Sequence, residues 1–389
     1  MKFSRLLFAL ALGLASLDGP SAFAQGANLP WGQQSDQVGW ETFVLVTAPS
    51  GIPGSQNVEF ETWATDEDLY LTNPPKWPAA PSAKVLHPSV LNLSRPRLTP
   101  FVIGPGGCGT PGNAKAGDFP ASGCIGEEVR RNWASFQYIV GNQLFTRAGL
   151  AAAAQKNFVV DMPADSIEVK ADWVKISDLK TWLKNALNKD LTDDQVKALY
   201  HVNTVNESGV PTDYALVAFH FSSKQIKNWI WSDFEHELNP GRCDDTGCHD
   251  NFGAQIKDVP ARNSRGSNGE DLHGNQDYGA CLKSDAVEQM MKNAGTGSQW
   301  RHYCLKGTQI DFVNADGKPS LLGNSVIERI AADVPVLSSS CITCHANAAF
   351  KKDGSSNPVP GGPIGPFDPA SIAGMVQNDF IWGIFLRLK

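Results

Sequence analysis

Three residues in the stretch SSSCITCHANAAF, Ser338 to Phe350, have types and spacing that can do chemistry: Cys341, Cys344 and His345. Two thiols three positions apart lie on one side of a single helical turn. There they can add to the two vinyl groups on one edge of a porphyrin. The next residue can then swing its imidazole under the iron as the proximal ligand. Other chemistries are open to the same residues. A zinc site needs four ligands, commonly from a second Cys-x-x-Cys or a spaced His pair, and none lies near this segment. A redox dithiol of the thioredoxin kind needs a βαβ frame, whereas these flanks read as loops. A simple disulfide also stays open. Haem attachment is the reading that the spacing favours.

A second cluster, CDDTGCHD, places Cys243, Cys248 and His249 in a Cys-x4-Cys-His arrangement. A longer-spaced second haem site is one reading. A tight disulfide loop is the favoured one, because Asp-Asp-Thr-Gly is turn chemistry and two acids would sit beside a porphyrin edge that already carries propionates. Candidates for a sixth iron ligand are Met375, the one Met after the motif, and His249, with His236, His273 and His302 as rivals. An open coordination position is the remaining option. FEHE, Phe234 to Glu237, reads either as a proton-relay pair or, preferably, as a solvated charged turn. His220, inside an apolar run, reads as a satisfied core histidine rather than a ligand.

Elements must position these groups. Glu127 to Leu150 predicts the best helix: Val129, Trp133, Phe136, Val140 and Leu144 recur at helical steps, and Glu127 and Glu128 suit its N-terminal end. Val38 to Pro49 suggests a turn of helix running into a strand. Phe60 and Trp63 are core anchors in a weakly alternating stretch. Ser166 to Ile176 alternates as a half-buried strand, and a capped amphipathic helix follows from Ser177. Asp213 to Ser223 reads as a more buried strand, and Asp285 to Gly295 as a short helix. Asn324 is a helix N-cap with Pro335 as the stop. Ile103 to Gly112 and Arg262 to Gly279 read as loops. The fold class expected is α+β: antiparallel strands with several helices, and a loop-rich C-terminal region bearing the haem.

The first 24 residues read as a secretory signal peptide: Lys2 and Arg5, an apolar core from Leu6 to Leu14, and a cleavage site at Ala22-Phe23-Ala24. The expected localisation is secreted, in a bacterial periplasm. Eight cysteines agree with an oxidising compartment. Besides Cys341 and Cys344 they fall into three pairs: Cys108 with Cys124, Cys243 with Cys248, and Cys281 with Cys304. These are candidate disulfides whose connectivity spacing does not prove. The full chain has 389 residues and a net charge of −7, which argues against nucleic acid as a partner. No segment after the signal approaches the ~18 apolar residues of a membrane span. The organisation expected is 1–24 signal peptide, 25–230 α+β body, and 231–389 a Cys-rich haem c region packed on the body.

The Cys-x-x-Cys-His motif resembles that of c-type cytochromes. The chain from about Tyr214 onward, with WIWSDFEHELNPGRC, YCLKGTQIDF and LLGNSVIERI ahead of SCITCHA, is similar to large exported bacterial proteins of the cytochrome c family. The resemblance implies thioether attachment at Cys341 and Cys344 and His345 as proximal ligand. It implies one haem c, with a second at Cys243/Cys248/His249 as the alternative. The chain departs from small mono-haem cytochromes in its length and in lacking a clear Pro-Met ligand motif. Three functions follow as expectations: electron transfer with a redox partner protein; a haem-dependent oxidoreductase, dihaem peroxidase-like or oxygenase-like, with the Trp229 to Trp231 segment walling a pocket; or a binding protein in which haem is a structural staple.

Overall fold

The computed structural model describes residues 33–78, 125–207, 210–262, 276–328 and 336–383. The signal segment, the Ile103 to Gly112 loop, His273 and the helix expected before Pro335 lie wholly or mostly outside these ranges. Cys108 and Cys124 lie outside the described residues too, so the disulfide expected between Cys108 and Cys124 is not among the bonds described. The fold is α+β. In chain order the helices are α1 (Gln33–Thr47), α2 (Trp133–Gly141), α3 (Arg147–Gln155), α4 (Ile176–Leu187), α5 (Asp193–Leu199), α6 (Asp285–Ala294) and α7 (Cys341–Ala346). The strands are β1 (Ala64–Thr65), β2 (Ile125–Arg131), β3 (Ile167–Lys175), β4 (Val202–Glu207), β5 (Val210–Ser223), β6 (Ile230–His236), β7 (Cys248–His249), β8 (Asp258–Val259), β9 (Tyr303–Gln309), β10 (Ala349–Phe350) and β11 (Val376–Gln377). Among the described residues no helix is long and apolar enough to cross a membrane.

One antiparallel sheet organises the molecule, in the order β1-β2-β3-β5-β6-β9. β5 is long enough to serve two partners on one edge: β4 pairs with Val210 to Ala215, and β6 with Ala218 to Ser223. Because side chains alternate across a strand, the sheet has two unlike faces. One is apolar. Val169, Ala171 and Trp173 of β3, Phe219 and Phe221 of β5, and Phe234 of β6 pack there against Trp40 and Phe43 of α1 and Val287 and Met291 of α6. The other face is apolar at one end, where Val174, Ala215 and Val217 meet Leu179, Trp182 and Leu183 of α4. Its middle is charged. Cross-strand rows run Arg131–Glu168–Ser222–Trp231, Val129–Lys170–His220–Asp233 and Glu127–Asp172–Ala218–Glu235.

The structure corrects several sequence expectations. Glu127 to Leu150 is not one helix. Residues 125–131 are drawn into the sheet between β1 and β3, so Glu127, Val129 and Arg131 share a sheet face. Asn132 ends the strand with an extended backbone, and its side chain accepts hydrogen bonds from the N–H groups of Ser135 and Ile167, which starts α2. Gln143, in the left-handed region at φ 58°, follows the end of α2, and Thr146 caps α3. Trp133, part of the apolar stripe of that predicted helix, is 48% exposed. Val38 to Thr47 belongs to α1 rather than to a helical turn feeding a strand, and extended pairing is confined to a single bridge between Pro49 and Val58. β3 is buried on both faces, not half-buried. The helix after it has the expected amphipathic pattern, with Ile176, Leu179, Trp182 and Leu183 buried, but its cap is a left-handed Asn188 at the C-terminal end. The FEHE segment is not a solvated turn: Glu235 and His236 are fully buried in β6. A boundary at 230/231 would cut β6 inside the continuous sheet. The strand Asp213 to Ser223, the helix from Asp285 and the anchors Phe60 and Trp63 are where the pattern put them.

Candidate functional site

The motif forms α7, a single short helix tied to its surroundings by polar side chains. Gln309 at the end of β9 accepts from the N–H of Ile342 (3.0 Å). Thr343 donates to the carbonyl of Gly365 (2.7 Å), and Trp382 to that of Cys344 (3.2 Å). Ile342 and Ala346 pack into a core shared with α2, α3 and the C-terminal Phe380, Ile381 and Trp382. Spacing and position thus hold both thiols and His345 against the charged face of the sheet.

Cys341 and Cys344 are free thiols. Burial pushes the Cys341 thiol well up and that of Cys344 to about 12. A redox dithiol works through a thiolate with a lowered pKa, so this environment disfavours that chemistry. His345 places Nδ1 2.7 Å from the carbonyl of Phe380. A carbonyl only accepts, so Nδ1 carries the hydrogen and Nε2 keeps its lone pair, the tautomer that a metal-ligating histidine uses. Burial lowers its pKa to about 4. The carbonyl is presented by a turn with two consecutive non-glycine residues in the left-handed region, Asp379 (φ 45°) and Phe380 (φ 69°). Such a conformation costs about 1–3 kcal/mol per residue and persists only where the surroundings fix it. Here Asp379 is fixed by Lys224 (2.6 Å) and the N–H of Met162 (2.7 Å). Trp231 stacks obliquely on His345, with ring centroids 4.4 Å apart.

A cavity opens beside the motif. Its walls include Cys341, Cys344 and His345 on one side, Arg131, Lys170 and His220 on the sheet, and Trp231, Val359, Pro360 and Trp382 around them. His220 is not a satisfied core residue: its Nδ1 is buried with no hydrogen-bond partner, and burial holds its pKa well below the ordinary value. Arg131 pairs with Asp66 (2.5 Å) and Glu168 (3.1 Å) but leaves Nη2 without a partner. The free space is ≈ 140 Å³, below the range of about 300–1,000 Å³ typical of small-molecule sites. A porphyrin would therefore have to displace part of the wall. The donor set fits a haem, with two free sulfurs, an imidazole in the right tautomer and a cationic group available to a propionate. The acids Glu127, Glu168 and Glu328 in the same wall work against propionates.

The remaining candidates lie elsewhere. Cys243 and Cys248 are bonded to each other, as are Cys281 and Cys304. Two of the three expected disulfides are therefore in place. The third, between Cys108 and Cys124, is not described, because Cys124 falls one residue before β2 begins and Cys108 further upstream, both outside the described residues. With its sulfurs joined, the Cys243–Cys248 pair is a disulfide loop and has no thiols for a second haem. His249 lines a separate depression with Asp36, and its nitrogens meet Asp258 (2.6 Å) and the carbonyl of Thr246 (3.1 Å). It is not placed to ligate an iron at His345. His236 is satisfied by Leu199 and Leu238, and His302 pairs with Glu237. Met375 is half-buried in a turn before β11 and is not among the residues around the cavity. Sequence reasoning missed Arg131 and Lys170 altogether and set His220 aside. The strand alternation that puts Lys170 and His220 on one face was the available sign. Among the described residues no group of three or more His, Cys, Asp or Glu is arranged to hold a metal ion. Compared with known protein families, curated proteins and solved structures, the chain matches none of them.

Proposed function

We propose that this chain is an exported c-type haem protein that carries one haem on Cys341 and Cys344, with His345 as axial ligand, and exchanges electrons with a redox partner protein in the periplasm. The observation that carries this reading is the arrangement of α7: two free thiols one turn apart, followed by a histidine whose Nδ1 is committed to the Phe380 carbonyl. When bound, haem supplies a one-electron ferrous/ferric couple. Cys341 and Cys344 would hold the haem through thioethers to its two vinyl groups, an addition in which each thiol proton would go to the other vinyl carbon and no oxidant would be needed. The protein orients Nε2 through the fixed Nδ1 hydrogen bond and limits water access with Trp231 and Trp382. Two disulfides support export to an oxidising compartment.

The test is the intact mass of protein from a host with haem c maturation, alongside a pyridine haemochrome spectrum. One covalent haem is expected in the wild type, and none in the double variant Cys341→Ala, Cys344→Ala. A wild type without haem overturns the reading. Two haems would return Cys243 and Cys248 to the candidate list and favour the dihaem oxidoreductase.

A further inference from the structure

The sheet face opposite the motif carries a histidine that no other element accounts for. His220 sits in the part of β5 that pairs with both β3 and β6, between Lys170 on one neighbour and Asp233 on the other. Its place in the register is fixed from both sides, so the imidazole is aimed by the sheet rather than by a loop. Its Nδ1 is out of contact with water and makes no hydrogen bond. An unsatisfied buried ring nitrogen costs on the order of 1–3 kcal/mol, and natural structures seldom keep one without a partner that completes it. His220 lies one row along the sheet from Trp231, the residue on which His345 stacks, and His220 and His345 face one cavity. Among the described residues, no other histidine and no methionine borders that cavity.

We propose that His220 is the second axial ligand, so that the iron is held between two histidines, one from the motif helix and one from the central sheet. This rests on the haem reading above and deepens it. Coordination would engage the edge of the His220 ring that borders the cavity. It also ties the C-terminal segment to the sheet through the iron. Two imidazoles give a lower potential than the histidine–methionine pair found in high-potential cytochromes. A closed coordination shell suits electron relay and leaves no position for a substrate at the iron.

The test uses the full haem-loaded chain, with haem content confirmed by mass and pyridine haemochrome so that a failure to load is separated from a failure to ligate. Absorption and electron paramagnetic resonance of the wild-type ferric form should show a six-coordinate, low-spin iron without a methionine–iron charge-transfer band. His220→Ala should become high-spin. Added imidazole should return it to low spin at a concentration at least tenfold below that which perturbs the wild type. His220→Met should stay six-coordinate and raise the potential. Met375→Ala and His249→Ala should leave the spectra unchanged. A loaded wild type that is already high-spin, or that has a methionine band, overturns the proposal without any variant. A loaded His220→Ala that stays low-spin overturns it too. The high-spin wild type would instead favour an oxidoreductase with substrate access to the iron. A wild type with no haem overturns both this proposal and the reading beneath it.

Discussion

His345 is the residue at which sequence and structure meet most closely. Its type and its place after Cys344 were legible from spacing alone. Its tautomer was not, because the carbonyl that fixes Nδ1 belongs to Phe380, far along the chain and in a left-handed turn that no local propensity favours. The same setting makes a pH prediction for the haem-free double variant Cys341→Ala, Cys344→Ala. The His345 pKa is about 4 in the folded chain and about 6.5 when unfolded. Between these values the unfolded chain binds a proton that the folded chain does not. The stability linked to His345 is therefore complete above pH 6.5 and is lost as pH falls towards 4. Replacing His345 by Phe in that background should flatten the fall by about 2 kcal/mol between pH 7 and pH 4.5, read from urea melts at those two values. Parallel curves for the two proteins would show that the imidazole is not held neutral by burial.

At the scale of elements, the pattern was legible where one face of an element is apolar and the other polar. The helices from Ser177 and Asp285 fall in this group, whereas Asp213 to Ser223 was legible as an almost wholly apolar run buried on both faces. The pattern failed at Glu127 to Leu150, where helical spacing of large apolar residues hid a strand, a cap and two short helices. The strand is strongly charged on both faces, and its charges are answered only in three dimensions: Glu127 by Lys170 (2.8 Å), Arg130 by Glu128 (3.1 Å) and Arg131 by Asp66 and Glu168. Asp172 stands out in that layer. It lies between Glu127 and Ala218 in register, and neither carboxylate oxygen has a hydrogen-bond partner. Burial, reinforced by Glu127, raises its pKa well above the ordinary value. A carboxyl raised in this way penalises the folded state increasingly as pH rises above the unfolded value of about 4, fully above its folded pKa, and the penalty is lost as pH falls back to that unfolded value. Asp172→Asn should therefore raise the urea midpoint at pH 8, with a smaller gain at pH 5. Equal gains at both pH values would mean that the charge of Asp172 is not what the sheet resists.

For the whole molecule, the sequence reading drew an α+β body, 25–230, with a Cys-rich haem c region, 231–389, packed on it. The C-terminal segment does pack on the rest of the chain, and the motif lies at the junction, with Ile342 and Phe380 in the same core as Phe136 of α2 and Leu150 of α3. The halves are not separable, however, because β6 and β9 complete the sheet that β2, β3 and β5 begin. Cysteine density drew the boundary in the sequence, whereas sheet pairing decides it in the fold, and pairing across long chain separations leaves little local trace. A fragment ending at residue 230 would leave the β5 edge from Ala218 to Ser223 without β6. It would lose Phe234, Trp300, Tyr303 and Leu305 from the apolar face. On the other face it would expose Lys170, His220 and Asp172 to water, which favours their charged forms but removes the cover that orders the strands. Exposed edges of this kind invite association. Residues 25–230 expressed alone should show strand and helix in far-ultraviolet circular dichroism, no cooperative thermal transition, and self-association in sedimentation. Extending the fragment to residue 237 should not rescue it, because β9 and the C-terminal cover are still missing. A sharp, reversible melt for 25–230 would show that the first half folds on its own, and the sheet would then have to be regarded as a docking of two domains rather than one cooperative layer.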